Sequence, residues 1–196
     1  MRLPLILVML SVLSMNLAAA GPELHVGAKA GDFTLADLHG GEVAISPGQG
    51  DVTVVMFISS ICPMSNSYNT RINDLYKDYS VKGVKFVVIN ANQNEKPAMV
   101  EDHARRALFP FPVYTDVDNA VADRFGAQAT PETFVIGRGG LIQYHGRIDD
   151  SQNPARARHE SLRLAIDAVL ARREVAVPET KAFGCTIKRI RSRKTS

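Results

Sequence analysis

Cysteine is nearly missing from this sequence: its 196 residues hold two, Cys62 and Cys185. Two thiols are too few for a fold built on a disulfide framework, so the chain must rest on an apolar core, and the thiols are free for another task. Repeats and low-complexity blocks are absent. So are the motifs of several enzyme classes: no G-x-S-x-G, no phosphate loop, no H-E-x-x-H, and no G-x-G-x-x-G after a strand. The apolar run from Leu3 to Leu13 is too short and wrongly flanked for a membrane span. Acidic residues are missing from Thr186 onward, where Lys188, Arg189, Arg191, Arg193 and Lys194 lie.

What is present at the N-terminus is a secretion pattern. Arg2, the apolar run and Ala18-Ala19-Ala20 read as a signal peptide over residues 1–20, with cleavage before Gly21; a single uncleaved anchor is the alternative. The expected product is exported, either secreted or periplasmic, with no stable membrane insertion. There an even pair of cysteines can oxidise. The formal net charge of +3 is carried by the ends: without Arg2 and the five basic tail residues, 17 of the 23 basic residues remain against 20 acidic ones. Residues 189–196 read as a basic, solvated and disordered tail, and nothing supports nucleic-acid recognition.

From Asp51 onward strand-like and helix-like segments alternate. "DVTVVMFIS" and "VKFVVIN" read as strands buried on both faces. Between them Tyr68, Ile72, Leu75, Tyr76 and Tyr79 fall on one helical face that Gly83 ends. A second helix is expected over about Lys96 to Leu108, and a short one follows. "ETFVIG" and "LIQYHG" flank a turn at Arg138-Gly139-Gly140 and read as a hairpin. Asn153-Pro154 is expected to open a long helix striped with Leu162, Ile166, Val169 and Leu170. Asp149-Asp150 reads as a pair of helix-entry charges. The order predicts one α/β domain over residues 21–188, a central mixed sheet flanked by helices on both faces.

Cys62 stands where a buried strand gives way to a helix, with Pro63 suited to the first helical position. Unpaired backbone N–H groups and the positive end of the helix dipole favour thiolate over thiol there. Ser65 falls one turn on, placed to donate its hydroxyl proton to the same sulfur. This pattern suits a nucleophilic cysteine.

These residues also carry a resemblance. "FISSICPMS" resembles the active-site segment of the thioredoxin superfamily, with the C-x-x-C motif replaced by Cys62-Pro63-Met64-Ser65. "AQATPETFVI" resembles that superfamily's cis-proline segment, and "HVGAKAGDFTLADLHGGEVAI" is similar to the start of its redoxin branch, the alkyl hydroperoxide reductase/thiol-specific antioxidant proteins. "FGCTIK" further resembles a peroxiredoxin-like subgroup of that branch. The resemblance spans His25 to about Ile148 and implies a thioredoxin-like fold. It implies that Thr130-Pro131, with a cis bond, faces Cys62 and leaves a backbone edge free for an extended substrate. Catalytic roles are implied for Cys62, Cys185, Ser65 and Pro131, and substrate contacts for Pro63, Met64 and Thr130. No cofactor is implied.

The departures separate the readings. Ser65 cannot resolve a mixed disulfide as a second thiol would, so either an outside thiol or Cys185 does so. The favoured function is thiol–disulfide oxidoreduction on protein or small-molecule thiols and disulfides. Peroxide reduction is the alternative, although Val55 stands where the peroxiredoxin pattern P-x-x-x-T/S-x-x-C has proline and Ser59 takes the hydroxyl position. A static Cys62–Cys185 disulfide is the structural alternative. A copper carrier using Cys62, Met64 and His145 is a distant one, since His25, His39, His103 and His159 show no paired ligand spacing. Arg124, Arg138 and Arg147 are candidates for a charge beside the sulfur. A noncatalytic binding module with an inert thiol also stays open.

Overall fold

The computed structural model describes residues 23–189. The expected signal peptide over 1–20 and Arg191, Arg193 and Lys194 of the expected tail lie outside the described residues.

The turn-rich stretch before Asp51 contains an antiparallel hairpin: β1 (Phe33–Ala36) and β2 (Glu42–Ile45). Then come β3 (Thr53–Ile58), α1 (Pro63–Asn66), α2 (Asn69–Ser80), β4 (Lys85–Asn90), α3 (Pro97–Arg106), β5 (Val113–Thr115) and α4 (Ala120–Phe125). They are followed by β6 (Ala129–Thr130), β7 (Glu132–Ile136), β8 (Ile142–Gly146), a 3-10 turn at Pro154–Arg156, α5 (Ser161–Leu170) and β9 (Cys185–Thr186).

The main sheet has the order β2-β1-β5-β4-β3-β7-β8. β3, β4 and β5 are parallel, and β7, β8, β1 and β2 join antiparallel, so the sheet is mixed as expected. Every residue of β3 is buried because both faces are covered. The side chains alternate with the strand period. Val54, Met56 and Ile58 pack with Tyr68, Ile72 and Leu75 beside α5's Leu162, Ile166 and Val169. Val55 and Phe57 face the other way, onto Val121, Ala122 and Phe125 of α4.

Three expectations needed correction. The helix after Cys62 is two helices, breaking between Asn66 and Asn69. The last helix starts at Ser161 instead of Asn153: Asn153 caps only a 3-10 turn, and the polar stretch from Arg156 to Glu160 offers no apolar face to bury. Asp149 is not a helix-entry charge. It is buried, 2.5 Å from Arg71 Nη1, and accepts from the Tyr68 hydroxyl. Asp150 instead accepts from the backbone N–H groups of Arg158 and His159.

Candidate active site at Cys62

Strand register alone brings the two halves of the site together. Antiparallel pairing sets Glu132 of β7 opposite Phe57 of β3, so the residues just before Glu132 stand beside the loop that follows Ile58. That loop carries Cys62, and those residues are Thr130 and Pro131, joined by a cis bond. The Cys62 sulfur lies 3.6 Å from the Thr130 carbonyl oxygen.

Cys62 is the N-cap of α1, and its sulfur accepts from the Ser65 backbone N–H at 3.4 Å. A main-chain donor at the sulfur is what the helix N-terminus led one to expect; the Ser65 hydroxyl, also expected to serve the sulfur, is turned elsewhere. Ser65 Oγ instead accepts from the Ser59 backbone N–H at 3.1 Å and is buried with it. The stabilising donor at the sulfur is therefore main chain, supplied by the open N-terminus of the first helical turn.

The loop rests on a carboxylate that sequence reasoning missed. Glu95 is buried; it accepts from the Ser59 hydroxyl at 2.6 Å, the Ser60 N–H at 2.6 Å and Asn90 Nδ2 at 2.8 Å. Ser59 Oγ in turn accepts from the Cys62 N–H at 3.0 Å. A second buried carboxylate, Glu132, serves the proline side. Its Oε2 accepts from the N–H groups of Gln128 and Ala129 at 2.7 and 2.8 Å, and its Oε1 lies 2.6 Å from His145 Nε2. Each carboxylate thus ties several backbone N–H or hydroxyl groups of one segment of the site to a single buried side chain.

Cys185 closes the site from above. It is joined to Cys62 by a disulfide across 123 positions, with the Cα atoms 6.0 Å apart. β9 pairs antiparallel with β6, setting Cys185 opposite Thr130 and Thr186 opposite Ala129. The edge expected to be free beside the proline is thus filled by the chain's own C-terminal segment. Cys62 is left only 2% exposed.

Comparison with known proteins agrees with this architecture. The AhpC/TSA family profile matches residues 26–145. The chain belongs to the AhpC/TSA family. Among curated proteins this AhpC/TSA chain is similar to the thiol-disulfide oxidoreductase ResA of Geobacillus thermodenitrificans, 28% identical over 147 residues that cover 73% of this chain and 83% of that one. Among solved structures it is similar to an uncharacterized conserved protein of Geobacillus kaustophilus, with TM-score 0.79 and 32% identity over 86% of this chain and 94% of that one. It is also similar to a Chlorobium tepidum protein described as the thiol:disulfide interchange protein DsbE, with TM-score 0.63 and 26% identity over 76% and 99% of the two chains. The fold is thioredoxin-like, and the chain is an oxidoreductase.

The remaining candidates of this AhpC/TSA chain fall as follows. Pro63 is exposed beside Cys62 and Met64 is half-buried against the core, while Thr130 is buried. Ile61, 51% exposed next to the sulfur, is a rim residue that sequence reasoning did not single out. His145 lies in β8, its ring stacked on Phe134 at 4.2 Å and its Nε2 held by Glu132. It supports the proline segment, and no cluster of three or more His, Cys, Asp or Glu side chains suited to a metal occurs among the described residues. Two of the candidate arginines are engaged elsewhere, and the third lies in a turn away from the proline segment. Arg124 donates to the carbonyls of Ala30 and Asp32, Arg147 donates to Ser161, and Arg138 is in the β7–β8 turn, at the opposite end of β7 from Pro131. No helix among the described residues is long and apolar enough to cross a membrane.

Proposed function

We propose that this chain is an exported thiol–disulfide oxidoreductase in which Cys62 is the nucleophile and Cys185 the resolving thiol. The observation that carries the reading is the Cys62–Cys185 disulfide lying against Thr130 at a helix N-cap. In the reduced protein the Cys62 thiolate attacks one sulfur of a substrate disulfide. A mixed disulfide forms at Cys62, and the other substrate sulfur leaves as thiolate and takes a proton from solvent. The Cys185 thiolate then attacks the Cys62 sulfur, expelling the second substrate thiolate and leaving the disulfide seen in the structure. Two electrons pass to the substrate, and an outside dithiol restores them. Run in reverse, the same steps oxidise a substrate dithiol.

Ser65 and Glu95 hold the Cys62 loop in this account, and Pro131 and Thr130 form the floor against which substrate lies. Pro63, Met64 and Ile61 offer an apolar rim. Export is supported by the leader pattern over residues 1–20 and by a thiol pair suited to an oxidising compartment. Peroxide reduction is less well supported, because the Ser59 hydroxyl proton is committed to Glu95.

Turnover of a small disulfide substrate by purified variants, with a dithiol as donor, tests the reading. Cys62→Ser should abolish it. Cys185→Ser should slow it by about tenfold or more and accumulate a mixed disulfide at Cys62 detectable by mass. Unchanged turnover in Cys185→Ser would remove the resolving role.

A further inference from the structure

The segment that carries Cys185 behaves as more than a tether. From Phe183 to Arg189 it lies across the site as an extended strap. The Ile187 N–H donates to the Gln128 carbonyl at 3.0 Å, and Thr130 Oγ1 donates to the Cys185 carbonyl at 3.4 Å. Further along, the Lys188 N–H donates to Asn92 Oδ1 at 3.0 Å, and the Lys188 carbonyl accepts from the Gln93 N–H at 2.8 Å. On the strap's side all four contacts are made by main-chain atoms; with the β9–β6 pairing, the Ile187 bond is of the kind an added β-strand makes with a sheet edge, and Thr130 and Asn92 add side-chain partners from the groove.

Three side-chain positions of the strap, however, are closely specified. Gly184 packs so tightly that a Cβ built on it would overlap the Thr130 carbonyl oxygen, a main-chain atom that cannot swing aside. Ile187 is 3% exposed and packs with Phe57, Ile89 and Phe125 in the apolar core, although its neighbours Thr186 and Lys188 are exposed. Phe183 sets its ring edge-on to Tyr68, with centroids 6.5 Å apart. The groove thus accepts an aromatic residue, then a residue without a side chain, then the sulfur, then a solvent-facing residue, then a branched apolar one.

We propose that the groove filled by residues 183–188 is the substrate groove, and that the strap is a built-in substrate mimic. Its occupant in turnover is an extended polypeptide presenting a cysteine preceded by glycine and followed two positions later by a branched apolar residue. The inference rests on the proposed thiol exchange at Cys62. While the strap is docked Cys62 is covered, so the substrate must take the strap's place on the β6 edge. Its cysteine then sits where the Cys185 sulfur sits, in line for exchange with Cys62. When Cys185 returns to attack Cys62, redocking of the strap displaces the product along with its sulfur.

The test uses the full-length Cys185→Ser protein and thionitrobenzoate mixed disulfides, in which attack by Cys62 on the probe's cysteine sulfur releases coloured thionitrobenzoate. The probes are the peptide KAFGCTIKR, its Gly→Ala and Ile→Ser analogues, and glutathione. The parent peptide should react about tenfold or more faster than either analogue and than glutathione, a ratio on the scale of a single well-formed interaction. Adding Ile187→Ser to the protein, which loosens the competing strap, should raise the parent peptide's rate while keeping that order. Equal rates for all four probes in both proteins would overturn the groove while leaving thiol exchange intact. No thionitrobenzoate release from any probe would overturn the exchange chemistry and this inference with it.

Discussion

Cys62 owes its chemistry to neighbours of unlike origin. The sulfur's donor, the Ser65 N–H, comes from the turn that Pro63 starts, and was foreseeable from four adjacent letters of sequence. The support beneath it was not. Glu95 lies 33 positions from Cys62 in a turn after β4, in a polar stretch without periodicity, and only the parallel pairing of β3 with β4 brings it under Ser59 and Ser60. Glu132 is equally unmarked in "TPETF", yet it fixes Gln128 and Ala129. Glu95→Gln replaces one acceptor oxygen with a donor facing either the Ser60 N–H or the Ser59 hydroxyl. It should cost about 1–3 kcal/mol of stability, the usual penalty for a buried group left unsatisfied. Urea unfolding checks this, and a loss within a few tenths of a kcal/mol would mean the carboxylate is not needed there.

Elements were legible in proportion to how completely they are buried. β3 and β4 are six-residue strands whose apolar runs, Val54 to Ile58 and Phe86 to Ile89, are buried throughout, and their sequences announce it. β5 has three residues just after two prolines, and β2 is a half-exposed edge strand, so neither gives a period long enough to read. α5 kept the expected apolar stripe at Leu162, Ile166 and Val169 but lost its expected start, because capping signals at Asn153 cannot extend a helix that has nothing to bury. α3 docks on α2 through a group with its own pH signature. Asn69 Nδ2 lies 3.1 Å from His103 Nε2, the Phe109 ring meets the imidazole edge-on, and Nδ1 is buried without a partner. Burial first, and then Arg106, lower the His103 pKa below its usual 6.5, against weaker opposing pulls from Glu95 and Asp102. Between that lowered value and 6.5 the unfolded chain binds more protons than the folded one. The contribution is therefore complete above that window and is lost as pH falls through it. Unfolding free energies measured from about pH 7.5 down to about pH 5.5 should fall less steeply in His103→Gln than in the parent protein. Parallel profiles would assign the acid sensitivity to other groups.

For the whole molecule, the main consequence of the fold is that residue 185 returns to residue 62. The even cysteine count and the serine at position 65 suggested the pairing, and left a static link and a redox cycle as competing accounts of it. On the chain-entropy model a loop this long stabilises by about 4 to 5 kcal/mol, and that holds for either account. What separates them is the environment of the sulfur. A static link has no use for a main-chain donor at the sulfur or an exposed apolar rim at Ile61 and Pro63, and a redox cycle uses both. The measurement that tests this most directly is the alkylation rate of each thiol against pH in the fully reduced protein, with the modified cysteine identified by mass. The account predicts a Cys62 midpoint well below the roughly 8.5 of a free cysteine, with Cys185 close to that value. A Cys62 midpoint at or above it, with Cys185 the faster thiol, would contradict the account and make the disulfide a structural staple.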